Sequence, residues 1–172
     1  MIANIQRPYR FVSGGDAEWA DISTMSYDSK TFSVSAQEGL VRNFFIKGDG
    51  TKLYIVGTST DKLYQYTLST PWDISTSSAF QTEVDITGEI TAGTAHSMFM
   101  SDSGLRMYIT GLSAGKVFQY SGSTPWDLDT FSYDSDFYDF TSENANMLGI
   151  FMNGEKVYLN SFTSDLIYQY SM

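Results

Sequence analysis

The sequence predicts an all-β fold: a β-propeller-type array of three four-stranded blades per chain, completed to a six-bladed ring by homodimerisation. Three observations predict it. A repeat of about 50 residues occurs three times, each copy reads as four short strands joined by polar turns, and the copies are offset by one strand from whole blades.

The repeat rests on motifs that recur in the same order. Tyr64-Gln65-Tyr66 returns as Phe118-Gln119-Tyr120 and as Tyr168-Gln169-Tyr170, with spacings of 54 and 50 residues. Gly50-Thr51-Lys52-Leu53-Tyr54 returns at the same spacings as Gly104-Leu105-Arg106-Met107-Tyr108 and Gly154-Glu155-Lys156-Val157-Tyr158. Thr70-Pro71-Trp72-Asp73-Ile74 returns as Thr124-Pro125-Trp126-Asp127-Leu128, and Trp19-Ala20-Asp21-Ile22 is a divergent earlier copy with one residue inserted. The repeats span approximately 19–70, 71–124 and 125–172, and residues 1–18 form an N-terminal arm outside them.

Within each copy the first strand is a short apolar run: Phe44-Phe45-Ile46, Met98-Phe99-Met100 or Ile150-Phe151-Met152. A turn with Gly and Asp or Asn follows, which supplies the positive φ of a tight hairpin. The second strand begins at Lys52, Arg106 or Lys156, and the third carries the aromatic-Gln-Tyr motif. The fourth alternates apolar and polar residues, with Phe32 and Val34, then Val84 and Ile86, then Tyr138 and Phe140. A fourth-type strand near Tyr27–Val34 therefore precedes the first complete set, and the set ending at Tyr170 has no fourth strand after it. Open strand edges invite pairing. A three-bladed ring would give each blade about 120°, against roughly 45–90° for rings of four to eight blades. Two chains give six blades by C2 pairing, with strand exchange through Tyr27, Phe32, Val34, Tyr168 and Tyr170. An open arc of three blades held by other proteins is the alternative.

Composition agrees. Aromatic residues make up 16%, with 12 Tyr and 12 Phe, which favour pleated surfaces. Only 17% of residues are charged, and the net charge is −10. Such acidity opposes nucleic acid and anionic membrane surfaces as partners. The chain has no cysteine, so disulfides and thiolate metal sites are excluded. No apolar run reaches membrane-spanning length, and the start of the sequence lacks a signal-peptide core. The expectation is synthesis in a cytoplasm.

Two runs carry a resemblance to a known repeat: Asp49-Gly50-Thr51-Lys52-Leu53-Tyr54-Ile55-Val56-Gly57, and Tyr64 to Thr76 with its Ser69-Thr70-Pro71-Trp72-Asp73 core. Tyr27-Asp28-Ser29 leading into Phe32-Ser33-Val34-Ser35 fits the same pattern. Together they resemble the propeller-like STPWD-type repeat of predicted bacteriophage and marine viral structural proteins, over roughly residues 19–170. The resemblance implies a virion component: a tail fibre, a receptor-binding protein or a capsid-decorating protein, with other virion proteins as partners. The third copy departs from it at its shorter first turn and at Asn160-Ser161-Phe162. A more distant likeness to WD-type and YVTN-type propellers rests on the Asp-Gly-Thr-Lys-Leu-Tyr hairpin.

Candidate chemistry is sparse, and no cofactor is expected. His96 is the only histidine. It aligns with Arg42 and Leu148 just before the first strand; with Arg42 and Asn43 it is a candidate for ligand binding, and otherwise a turn residue. Glu38, Glu89 and Glu143 recur 51 and 54 residues apart. They could ring a cation with carboxylate oxygens, or cap turns. Repetition in every blade argues against the asymmetric carboxylate pair of a glycosidase. Trp72 and Trp126, beside Asp73 and Asp127, could stack on a sugar of a host-surface glycan, or pack between blades while Asp closes the turn. The sequence thus favours a non-enzymatic virion structural or attachment protein, with a carbohydrate-binding lectin-like propeller as the alternative.

Overall fold

The computed structural model describes residues 23, 25–78, 80–90, 95–112, 114–144 and 146–172. The arm over residues 1–18 and Trp19 lie outside them. The described residues form eleven strands in three antiparallel sheets, with no α-helix. The first sheet runs β1 (Val41–Ile46), β2 (Lys52–Gly57), β3 (Lys62–Thr67) and β4 (Thr82–Asp85), in that order. The second runs β5 (Ala95–Met100), β6 (Arg106–Gly111), β7 (Lys116–Gly122) and β8 (Phe131–Asp139). The third is β9 (Met147–Met152), β10 (Lys156–Ser161) and β11 (Ile167–Ser171). The third sheet has three strands among the described residues, in keeping with the repeat set that reaches Tyr170 with only its first three strands.

The hairpins follow from their turn residues. Gly50 and Gly104 sit at φ 75° and 66°, in the left-handed region. A Cβ on either would also strike the ring of Trp72 or Trp126 above it, so glycine is required twice over. Between the second and third strands of each sheet, Asp61, Gly115 and Asp165 also take positive φ. Gly and the short polar Asp tolerate that conformation better than other side chains do.

The Thr-Pro-Trp-Asp turn has a local explanation. Asp73 and Asp127 cap single 3₁₀ turns, Ile74–Thr76 and Leu128–Thr130, by accepting the N–H of Ser75 and Asp129. The hydroxyls of Thr76 and Thr130 donate to the carbonyls of Asp73 and Asp127, both at 2.8 Å. The same hydroxyls accept the N–H of Thr70 and Thr124 at 3.0 and 3.1 Å. The loop is closed by its own side chains, and Trp72 and Trp126 are held at φ 66° and 61°, a costly conformation for a bulky residue.

Each sheet is apolar on both faces. Tyr54, Val56 and Leu63 of the first sheet pack with Ile109, Phe118 and Tyr120 of the second. Val117 and Phe140 pack with Leu159 of the third, flanked by half-buried Tyr168 and Tyr170. The outer face of the first sheet, with Leu53, Ile55, Tyr64 and Tyr66, receives Phe32 and Val34.

The segment carrying Phe32 and Val34, around which a fourth-type strand was expected, belongs to no strand of the single chain. It nevertheless has a fourth strand's shape. Ser26-Tyr27-Asp28-Ser29 repeats Ser132-Tyr133-Asp134-Ser135 residue for residue, and Ser29 and Ser135 share φ 59°. In β8 that residue adjoins a bulge between the partners of Gln119 and Tyr120. The turn after the segment also matches. Gln37 and Glu38 donate their N–H to the Val34 carbonyl, as Glu143 and Asn144 do to Phe140 and as Glu89 and Ile90 do to Ile86.

Candidate functional site

The contact between the first and second sheets shows how a finished junction is built. Trp126 lies stacked on Phe45, with ring centroids 6.0 Å apart and planes 12° from parallel. Its carbonyl accepts hydrogen bonds from Tyr54 Oη at 2.8 Å and Lys52 Nζ at 2.7 Å. Burial, with the carboxylates of Asp127 and Asp49, pushes the Tyr54 hydroxyl far above its ordinary range, so it remains a donor. Two residues on, the Leu128 N–H donates to Gln65 Oε1 at 2.9 Å, and the Leu128 side chain is fully buried. Thr82 of β4 donates to Asp129. Phe131 and Tyr133 complete the plug. The Thr-Pro-Trp-Asp-Leu segment of one sheet therefore seals the gap to the sheet before it.

Between the second and third sheets no such plug lies among the described residues. A cleft of about 550 Å³ opens there. Its walls include Tyr108, Val117, Gln119 and Asp136, the positions that in the first sheet are Tyr54, Leu63, Gln65 and Thr82. The opposite wall includes Leu159 and Tyr170. The outer edge of β11 has no strand beside it among the described residues. The exposed ends are correspondingly apolar. Ile167 is 75% exposed, Tyr27 74%, Phe151 53% and Trp72 47%.

The sequence-derived candidates divide. Trp126 is half-buried in the junction, whereas Trp72, in the same turn, is more exposed. Arg42 and His96 are brought together on the neighbouring first strands of two sheets. Burial, and then the Arg42 charge, hold the His96 imidazole below its ordinary range, so it is neutral near pH 7. Arg42 Nε donates to Thr58 Oγ1 at 3.3 Å. Asn43 sits opposite Val56 in the β1–β2 ladder, half-buried.

Glu38, Glu89 and Glu143 do not share one position. The backbone turns superpose Gln37, not Glu38, on Glu89 and Glu143. Gln37 Oε1 accepts from Tyr66 Oη at 3.4 Å, and Glu89 Oε2 accepts from Tyr120 Oη at 3.1 Å. Val34, Ile86 and Phe140 stand 52 and 54 residues apart, as do Gln37, Glu89 and Glu143, whereas Glu38 stands 51 from Glu89. Glu38 is a buried turn cap. It accepts the Leu40 N–H at 2.7 Å, the Ser59 N–H at 3.0 Å and the Thr60 hydroxyl at 2.8 Å. Burial pushes its carboxyl up, but these bonds together outweigh burial and hold it below the ordinary range. Among the described residues no three His, Asp or Glu side chains are grouped to hold a metal ion.

The residues that matter most in the junction, Gln65, Gln119, Tyr54, Tyr108 and Leu128, carry no chemical motif. Their signal was the invariance of the Gln in all three copies, which a simple strand does not need.

No protein-family model matches the chain, and no curated protein matches it in sequence. Solved structures do match in fold. One is described as a "putative 6-phosphogluconolactonase" from Bacteroides uniformis, with TM-score 0.55 and 16% identity over 77% of this chain. Another is a protein from Lactobacillus plantarum, with TM-score 0.52 and 15% identity over 76% of this chain. The fold is of the propeller type. The chain covers only 37% and 40% of the length of those two structures.

Proposed function

We propose that the chain is a non-enzymatic structural or attachment module of a virion, three propeller blades that a second copy completes to a six-bladed ring. The observation that supports this best is a pair of matching parts among the described residues, a three-stranded last sheet and a segment over residues 25–34 that repeats part of β8 but pairs with no strand. The repeated side chains also support it. Trp126, Asp73, Asp127, Gln65 and Tyr120 are all engaged in closing turns or joining sheets, so the repetition serves construction. The virion location rests on the Ser-Thr-Pro-Trp-Asp resemblance. The reading is tested by imaging. Negative stain of the purified chain should show six-lobed rings, and labelled antibody should decorate viral particles. Label confined to the particle-free fraction would contradict the virion role, and hydrolysis of 6-phosphogluconolactone by the purified chain would contradict the non-enzymatic one.

Glycan binding is the second reading, favoured by the exposed Trp72 ring beside Asp73. A glycan array tests it. Binding that is lost in Trp72→Ala would establish it, and an empty array would remove it while leaving the structural role intact.

A further inference from the structure

We infer that residues 25–34 of a second copy form a fourth strand of the third sheet, docking through Asp28 and Tyr27, while Trp72 of that copy stacks on Phe151. This rests on the ring reading above and specifies its joint.

The occupant is identified by what the cleft lacks and what the segment already has. In the second sheet, Gln119 Nε2 and Ser121 Oγ both donate to Asp134, at 2.6 and 2.7 Å. In the first sheet Gln65 Nε2 and Thr67 Oγ1 both donate to Gln81, at 3.3 and 2.6 Å. The third sheet offers the same two donors, Gln169 and Ser171, on an open edge. The residue matching Asp134 in the Ser-Tyr-Asp-Ser repeat is Asp28. Tyr133 packs on Phe118 and Tyr120 at 6.1 and 5.4 Å. Its match, Tyr27, is exposed, and the corresponding Tyr168 and Tyr170 line the third sheet.

The ladder supplies an independent observation. Lys62 opposes Asp85 and Lys116 opposes Asp139. The corresponding position in the third copy, just before β11, is Leu166, and the corresponding residue of the segment is Ser33. Both charges have disappeared together. Opposite charges across a ladder stabilise it, and an Asp strand facing Leu166 would lose that contribution. A Ser33 strand loses nothing.

The other end of the joint matches as well. Phe151 lies 6.2 Å from Tyr158 at 42°, nearly the 6.3 Å and 50° of Phe45 and Tyr54 beneath Trp126. Trp72, 47% exposed in the same turn of the repeat, is the counterpart of Trp126 for this platform. Within one copy the segment already leans on the first sheet, where Lys30 pairs with Asp73 at 2.7 Å, so the joint would set the third sheet of one copy against the first sheet of the other.

The cysteine-free chain makes the test direct. Full-length Ser33→Cys and Leu166→Cys variants, mixed and mildly oxidised, should give a disulfide-linked dimer containing one of each. Asp28→Ala, an exposed substitution, should weaken self-association about tenfold or more with unchanged thermal unfolding of the dissociated chain. A dimer that forms without the Ser33–Leu166 link and tolerates Asp28→Ala would overturn this joint while leaving the ring reading standing. A chain that stays monomeric would remove both. In a double variant, a link within one chain would show that the segment closes on its own third sheet.

Discussion

Trp126 and Trp72 occupy the same turn of the same repeat, with the same left-handed backbone and the same glycine beneath the ring. Trp126 lies on Phe45 and its carbonyl is held by Tyr54 and Lys52; Trp72 is half exposed. The turn conformation is therefore made locally, by Asp and Thr closing their own loop, and not by the junction. What the junction adds is a place for the ring and for Leu128 behind it. The first–second junction is a finished product of the repeat, and the outer ends show the same parts unassembled.

The largest effect should come from the plug itself. Leu128→Ala empties a fully buried site in the finished junction and should cost about 2–5 kcal/mol of unfolding free energy, measured by denaturant titration. Trp126→Ala should cost about 3 kcal/mol in the same experiment. Trp72→Ala should leave the unfolding of the isolated chain nearly unchanged and weaken self-association instead. Equal destabilisation by the two Trp substitutions would erase the distinction between a finished and an open end.

Glu38 gives a smaller effect with a pH signature. Its folded-state pKa is depressed, so its contribution is present above its ordinary value of 4.5 and disappears as pH falls through the folded value. Glu38→Gln should cost about 1–3 kcal/mol at pH 7, and its difference from the parent chain should shrink below about pH 4. A pH-independent difference would contradict the hydrogen-bonded carboxylate.

The smallest effect separates two equivalent tyrosines. Tyr120 Oη donates to Glu89, and burial together with that carboxylate drives its hydroxyl far up. Tyr170 Oη, buried and pushed up to about 12 by burial and Glu143, has no hydrogen-bond partner. Tyr120→Phe should cost about 1 kcal/mol, and Tyr170→Phe should be neutral in the isolated chain.

Much of the fold could be seen in the sequence because a repeat aligns its own copies. Strand order, the Gly50 and Gly104 hairpins and the three strands of the last sheet all follow from comparing one copy with the next. The site was less visible. Glu38 was grouped with Glu89 and Glu143 because it shares their residue type, while the turn hydrogen bonds align Gln37 with them. The role of Gln65 was hidden because its partner, the Leu128 N–H, lies 63 residues away in another sheet. The Ser-Tyr-Asp-Ser match between residues 26–29 and 132–135 was present in the sequence. Its meaning depends on Ser29 and Ser135 sharing a bulge conformation that letters alone do not reveal.

The central claim is that two copies complete one ring. Light scattering of the full chain at micromolar concentration measures it most directly. The account predicts twice the 19.2 kDa chain mass; a compact, stable particle of a single chain's mass would contradict it.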